Sequence, residues 1–165
     1  MRRRLITSLV LALFGMPAIL LGGIFYFVLM AIFLIGASWE YVHLFRAVKL
    51  EPQIHITIGG VTAIIVTRMF FPEYAMPVFA AGILTALAFH LVSYERGRDQ
   101  AALDFALTTA GFTYLGWIGA YLFDVRNLPD GGWWFMIILP CVWLADSGAY
   151  SIGRAYGKHK MAPRL

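Results

Sequence analysis

Apolar residues run along this chain in long unbroken blocks, and the polar residues fall almost entirely between the blocks. A helix that crosses a bilayer needs roughly 17–25 mostly apolar residues. Six stretches meet that description, at 5–21, 24–39, 54–71, 76–92, 101–123 and 133–152. The blocks do not alternate apolar and polar positions, as the strands of a membrane barrel would. The predicted fold is therefore all-α, a polytopic transmembrane helical bundle forming a single domain over 1–165. The breaks are marked by turn chemistry: Gly22-Gly23, the prolines Pro72 and Pro77, and Asn127-Leu128-Pro129-Asp130-Gly131-Gly132. The basic start and apolar body of the first stretch have the look of a secretory signal. No small-x-small cleavage site precedes the second stretch, so a retained first helix is expected.

Composition agrees. Of 165 residues, 61% are hydrophobic and only 13% charged, against about a quarter charged in soluble domains. A water-soluble fold of this size could not hide so much apolar side chain, so the expected surroundings are a lipid bilayer. Charge placement then tests the number of spans. With the N-terminus cytoplasmic, six spans put Arg2, Arg3 and Arg4, Arg46 and Lys49, Arg96 and Arg98, and Arg154, Lys158, Lys160 and Arg164 on one side. Those are eleven of the thirteen Lys and Arg residues, and only Arg68 and Arg126 fall opposite. The positive-inside rule predicts this bias, with both termini cytoplasmic.

Border aromatics (Trp39, Tyr41, Phe70, Phe71, Trp133, Trp134) read as an interfacial belt. Ala106, Ala110, Gly116 and Ala120 read as a small-residue packing face of the fifth span. Glu40, His43 and Arg46 stand at helical spacing, as an interfacial ion-pair cluster would. Asp104 opens the fifth span, where the helix dipole favours a carboxylate. His90 is expected to hydrogen-bond to a neighbour, since no second ligand stands near it at metal spacing. The single cysteine, Cys141, reads as a small core residue.

The strongest candidate chemistry lies at the end of the sixth span. Asp146, Tyr150 and Arg154 recur every four residues on one helix face, with Ser147 and Ser151 beside them. Gly157, Lys158, His159 and Lys160 follow. Spacing alone leaves two readings open. One is an Asp146–Arg154 salt bridge closing the helix end. The other is a site in which a carboxylate holds Mg²⁺ and cations hold phosphate. The tail could also be a plain anchor for anionic lipid. No Gly-rich nucleotide loop of the P-loop or dinucleotide type occurs.

Trp143-Leu144-Ala145-Asp146-Ser147-Gly148-Ala149-Tyr150, then Gly153-Arg154, then Gly157-Lys158-His159-Lys160-Met161-Ala162-Pro163-Arg164 resembles the phosphatidate cytidylyltransferase family. There an Asp-Ser/Thr-Gly/Ala-Ala-Tyr stretch runs through Gly-Arg into Gly-Lys-His-Lys-Leu-Ala-Pro. The match is dense over about twenty residues, with Met161 in place of the family's Leu. Trp39-Glu40-Tyr41 and the multiple spans add a weaker likeness. The resemblance implies transfer of CMP from CTP to phosphatidate, giving CDP-diacylglycerol and pyrophosphate in phospholipid biosynthesis. It implies Asp146, Ser147 and Tyr150 as catalytic residues, with Asp146 also the Mg²⁺ ligand. Arg154, Lys158 and Lys160 would hold substrate phosphate. The implied partners are CTP, phosphatidate, the bilayer and a second copy of the chain, with no nucleic acid. The implied location is a bacterial-type inner (plasma) membrane with a cytoplasmic active side. The family's C-terminal signature does not follow Leu165, so the resemblance is to an N-terminal portion. The competing expectations are a non-catalytic remnant or assembly subunit, a small transporter-like bundle, and a CTP-using enzyme acting on another lipid phosphate or polyprenol. A transporter would carry polar residues near the midplane of several spans. Here they gather at one border.

Overall fold

The computed structural model describes residues 13–158, and these are helical throughout apart from short turns. Helix α1 covers residues 13–21 of the first predicted span, and the remainder of that span lies outside the described residues. Then follow α2 (Gly23–Arg46), α3 (Ile54–Phe70), a short 3₁₀ turn (Pro72–Tyr74), α4 (Ala75–Glu95) and α5 (Ala101–Phe112). A π-helical segment (Thr113–Ile118), α6 (Tyr121–Asn127) and α7 (Gly131–Tyr156) complete the order. Three elements are long and apolar enough to cross a membrane: Gly23–Arg46, Pro72–Glu95 and Gly131–Tyr156. Helix α3, at 17 residues, is apolar but shorter.

α3 is the hub, packing against α2, α4, α5 and the π segment. Its Val61, Ile64 and Ile65 are buried and meet Phe112, Phe123, Tyr26 and Ala86 in one core. Large apolar side chains elsewhere point outward, such as Ile32, Leu84 and Leu144. A surface of that kind is favourable against lipid, not water. Several hydroxyls inside the bundle bond within their own helix. Ser38, Thr57, Thr62 and Thr67 each donate to the carbonyl four residues back, so no hydroxyl among them faces hydrocarbon unpaired.

The fifth predicted span differs most from expectation. It is not one helix over 101–123 but α5, a π segment and α6, reaching Asn127. The buried positions are Asp104, Thr108, Phe112, Gly116 and Ala120, all four residues apart. In an ideal α-helix a four-residue step drifts about 40° round the axis. The wider π turn, marked by the bond from the Gly119 amide to the Tyr114 carbonyl (3.2 Å), takes up that drift and keeps the stripe on α3. Gly116 and Ala120 therefore pack as predicted, while Ala106 and Ala110 lie on the exposed side. Any side chain at Gly116 would press on Val61 and Ile64.

The turn between α1 and α2 is held from a distance. Gly22 adopts φ +66°, a conformation that favours glycine. Arg126 occupies the space beside it, donating from Nε to the Ile19 carbonyl (2.5 Å) and from Nη2 to the Leu20 carbonyl (3.0 Å). These are C-terminal carbonyls of α1 that its own helix leaves unpaired. At the same end, Arg68 pairs with Asp124 and lies over the rings of Trp117 and Tyr121.

Candidate functional site

α7 carries the predicted residues. Asp130 precedes it in a left-handed conformation (φ 59°), and Gly131 and Phe135 anchor its start, packed on α6. Pro140 sits inside the helix. It cannot donate to the carbonyl four residues back, a break that membrane helices tolerate. Beyond it the helix leaves the packed part of the bundle. Asp146, Ser147, Tyr150, Ser151, Arg154 and Lys158 are all exposed among the described residues. Lys160 lies outside the described residues.

The structure brings two of these residues together: Arg154 Nη1 donates to Tyr150 Oη at 3.3 Å. It does not form the Asp146–Arg154 salt bridge that spacing left open. Eight residues of helix place those side chains about 12 Å apart along the axis, and Asp146 has no ion-pair partner among the described residues. The stripe thus presents a carboxylate and hydroxyls, then a guanidinium one turn on and an ammonium beyond it, all open to an incoming ligand. No group of three His, Cys, Asp or Glu side chains able to hold a metal occurs among the described residues. What Asp146 offers is one carboxylate. That matches the way Mg²⁺ is commonly held, by one or two carboxylates together with substrate phosphates and water.

Cys141 is exposed on the same helix and is not the core residue expected of it. Glu40, His43 and Arg46 do not form an ion-pair cluster either. His43 Nδ1 lies 2.8 Å from the Trp39 carbonyl, its ring stacked on the indole, and Glu40 is exposed without a cationic partner among the described residues. Tyr41 is no belt residue: it turns into the bundle and donates to the Leu107 carbonyl at 3.0 Å, through space that Gly111 leaves open.

A second polar centre lies where the α2–α3 and α4–α5 connections meet. The Asp104 carboxylate is buried. Its Oδ1 accepts from the Glu51 amide (2.7 Å), and its Oδ2 accepts from Arg98 Nε (2.7 Å). Arg98 also donates to the Lys49 carbonyl (3.1 Å) and stands 3.4 Å from Glu51 Oε1. Its guanidinium is held above its ordinary pKa, chiefly by the hydrogen bond to Asp104. One turn along α5, Thr108 Oγ1 lies 2.9 Å from His90 Nε2 and accepts from the Gln53 amide at 2.9 Å. The neighbour expected for His90 is therefore Thr108. Asp104 does open its helix, but its main work is to join two loops. Sequence spacing held one trace of this, a carboxylate six residues after an arginine, and no trace of the Glu51 amide.

The Cytidylyltransferase family profile matches residues 2–165. A Staphylococcus aureus (strain COL) protein named phosphatidate cytidylyltransferase is 25% identical over 169 residues, covering 99% of this chain and 62% of that protein. One of the same name from Staphylococcus haemolyticus is 27% identical with the same coverage. Another from Staphylococcus saprophyticus is 34% identical over 82 residues, 48% of this chain and 31% of its own length. The chain thus spans 62% of the length of the relatives it matches end to end. No solved structure matches it significantly. The matched region takes in the whole described bundle and the α7 stripe, and the chain belongs to the cytidylyltransferase family.

Proposed function

We propose that the chain serves CMP transfer from CTP to phosphatidate, with the α7 stripe as its phosphate-handling face. An oxygen of the phosphatidate phosphate attacks the α-phosphorus of CTP, the bond to the β-phosphate breaks, and pyrophosphate leaves. Such a reaction asks the protein mainly for positioning and for positive charge around the gathering phosphates. Asp146 would hold Mg²⁺, which when bound neutralises charge on the phosphates. Arg154, Lys158 and Lys160 would bind phosphate oxygens, while Ser147 and Tyr150 orient them. The Tyr150–Arg154 hydrogen bond already directs that guanidinium.

Six crossings with both termini cytoplasmic would place this face at the inner border of a bacterial-type plasma membrane. There a lipid-anchored phosphate and a soluble nucleotide can meet. The observation that carries the reading is the carboxylate of Asp146, unpaired among the described residues, on the same helix as Arg154, with Lys158 just past the helix end. The competing reading, a non-catalytic assembly subunit, draws on the exposure of that whole face. One assay separates them: the purified chain in lipid, given CTP, phosphatidate and Mg²⁺, with CDP-diacylglycerol as readout. Turnover that falls roughly 10²-fold or more in Asp146→Asn supports the proposal. No turnover by the unaltered chain, or undiminished Mg²⁺-dependent turnover in the variant, refutes it.

A further inference from the structure

The loops that Asp104 joins form the floor of an open polar cleft of about 390 Å³. Its cations are not equivalent. Arg98 is spent on Asp104, Glu51 and the Lys49 carbonyl. Arg46 and Arg96 line the same cleft and have no carboxylate partner among the described residues. Ser93, from the last turn of α4, adds a hydroxyl to the wall. Immediately beside it runs an almost wholly apolar groove of about 250 Å³ between α4 and α5, lined by Leu87, Leu91, Ala102 and Phe105. The two share one residue, His90.

A cleft with two unspent guanidinium groups suits a phosphate, which arginine binds through paired donors. An apolar groove open to the outside of a membrane bundle suits hydrocarbon. Meeting at one residue, the two match an amphiphile that carries phosphate at one end and acyl chain at the other. We propose that this is a binding site for an anionic phospholipid, with its phosphate at Arg46 and Arg96 and the upper part of an acyl chain along Leu87, Leu91 and Phe105. The site shares no residue with α7. Its rigidity comes from the Arg98–Asp104–Glu51 junction, which sets both loops before any ligand arrives.

The test is native mass spectrometry of the full chain in neutral detergent, with dioleoyl phosphatidylglycerol, phosphatidate or phosphatidylcholine added in turn. Two guanidinium groups should favour the anionic lipids over phosphatidylcholine by about tenfold or more. The Arg46→Gln/Arg96→Gln double variant should lose that preference, and Arg46→Lys/Arg96→Lys should keep most of it. Ala102→Phe, which fills the groove, should weaken retention of both anionic lipids. Equal retention of phosphatidylglycerol and phosphatidylcholine by the unaltered chain overturns the proposal, as does a preference for phosphatidylglycerol that survives the double Gln variant. If glycerol 3-phosphate alone displaces the lipid and Ala102→Phe leaves retention unchanged, the cleft binds free phosphate and the lipid assignment is wrong. Phosphatidylglycerol is not the substrate proposed for α7, so its arm of the assay stands or falls apart from the transfer reaction.

Discussion

Removing the Asp104 carboxylate should open the end of the bundle where α2–α3 and α4–α5 meet. The side chain is buried and joins two loops that are distant in sequence, through the Glu51 amide and Arg98 Nε at 2.7 Å each. A hydrogen bond to a charged group contributes about 1.5–3 kcal/mol net. The bond to Glu51 is taken in full, and the one to Arg98 is discounted because that guanidinium keeps access to water. Asp104→Ala should then cost about 2–4 kcal/mol. For a chain of this size that corresponds to a fall of roughly 5–15 °C in Tm. Asp104→Asn keeps an acceptor for Glu51 but loses the charge and turns an amide NH2 toward Arg98 in place of the second acceptor, so it should fall between Asp104→Ala and the unaltered chain. Thermal unfolding of the purified chain in one detergent, followed by far-UV circular dichroism, measures all three. An Asp104→Ala variant that melts within about 2 °C of the unaltered chain would show that the two loops do not depend on this carboxylate.

Two further substitutions test the packing. Gly22→Ala forces an L side chain into φ +66° and against Arg126. It should lower stability by at least about 1–2 kcal/mol, and Arg126→Ala in the same chain should relieve part of the loss in a double-variant cycle. Gly116→Leu pushes bulk into the Val61–Ile64 contact and should cost about 1–3 kcal/mol or more by overpacking. Gly36→Leu, where nothing lies within 4 Å of a new Cβ, is its control and should change the melting curve little.

The order and type of the helices were legible because lipid imposes a one-dimensional rule. A crossing helix must be apolar along its length, so α2, α3, α4 and α7 begin within two residues of the predicted blocks. The far ends run on, to Arg46, Glu95 and Tyr156, because border residues such as Glu40 and Tyr94 stay helical once past the apolar stretch. The π segment was not legible. Thr113 to Ile118 has ordinary composition, and the wide turn answers to the face of α3 rather than to any local signal. Arg126 was read only as a cation on the sparse side. That it satisfies carbonyls more than a hundred residues earlier depends on how α6 is placed. The α7 stripe was legible as a pattern. Its exposure was not, because periodicity shows which residues share a face and leaves open what covers that face.

The two ends of the bundle treat their cations in opposite ways, and that contrast bears on function. At the end containing Gly22 and Asp124, both arginines are engaged: Arg68 by Asp124 and two aromatic rings, Arg126 by backbone carbonyls. Neither guanidinium is left over for an anion. At the end where the α2–α3 and α4–α5 loops meet, Arg98 is engaged, but Arg46 and Arg96 have no carboxylate partner among the described residues. A positive-inside bias needs only cations on one side and is indifferent to whether they are paired. Internal neutralisation of the two exceptions goes further, since it confines attraction for phosphate to a single end. The proposed transfer between a lipid phosphate and a soluble nucleotide would gain from that confinement, because anions drawn to the other end would be out of its reach. Arg68→Ala tests the point directly. It would leave Asp124 unpaired and should cost stability, yet it should leave anionic-lipid retention unchanged. A drop in retention comparable to that of the Arg46/Arg96 pair would show that the two ends are not electrostatically separate.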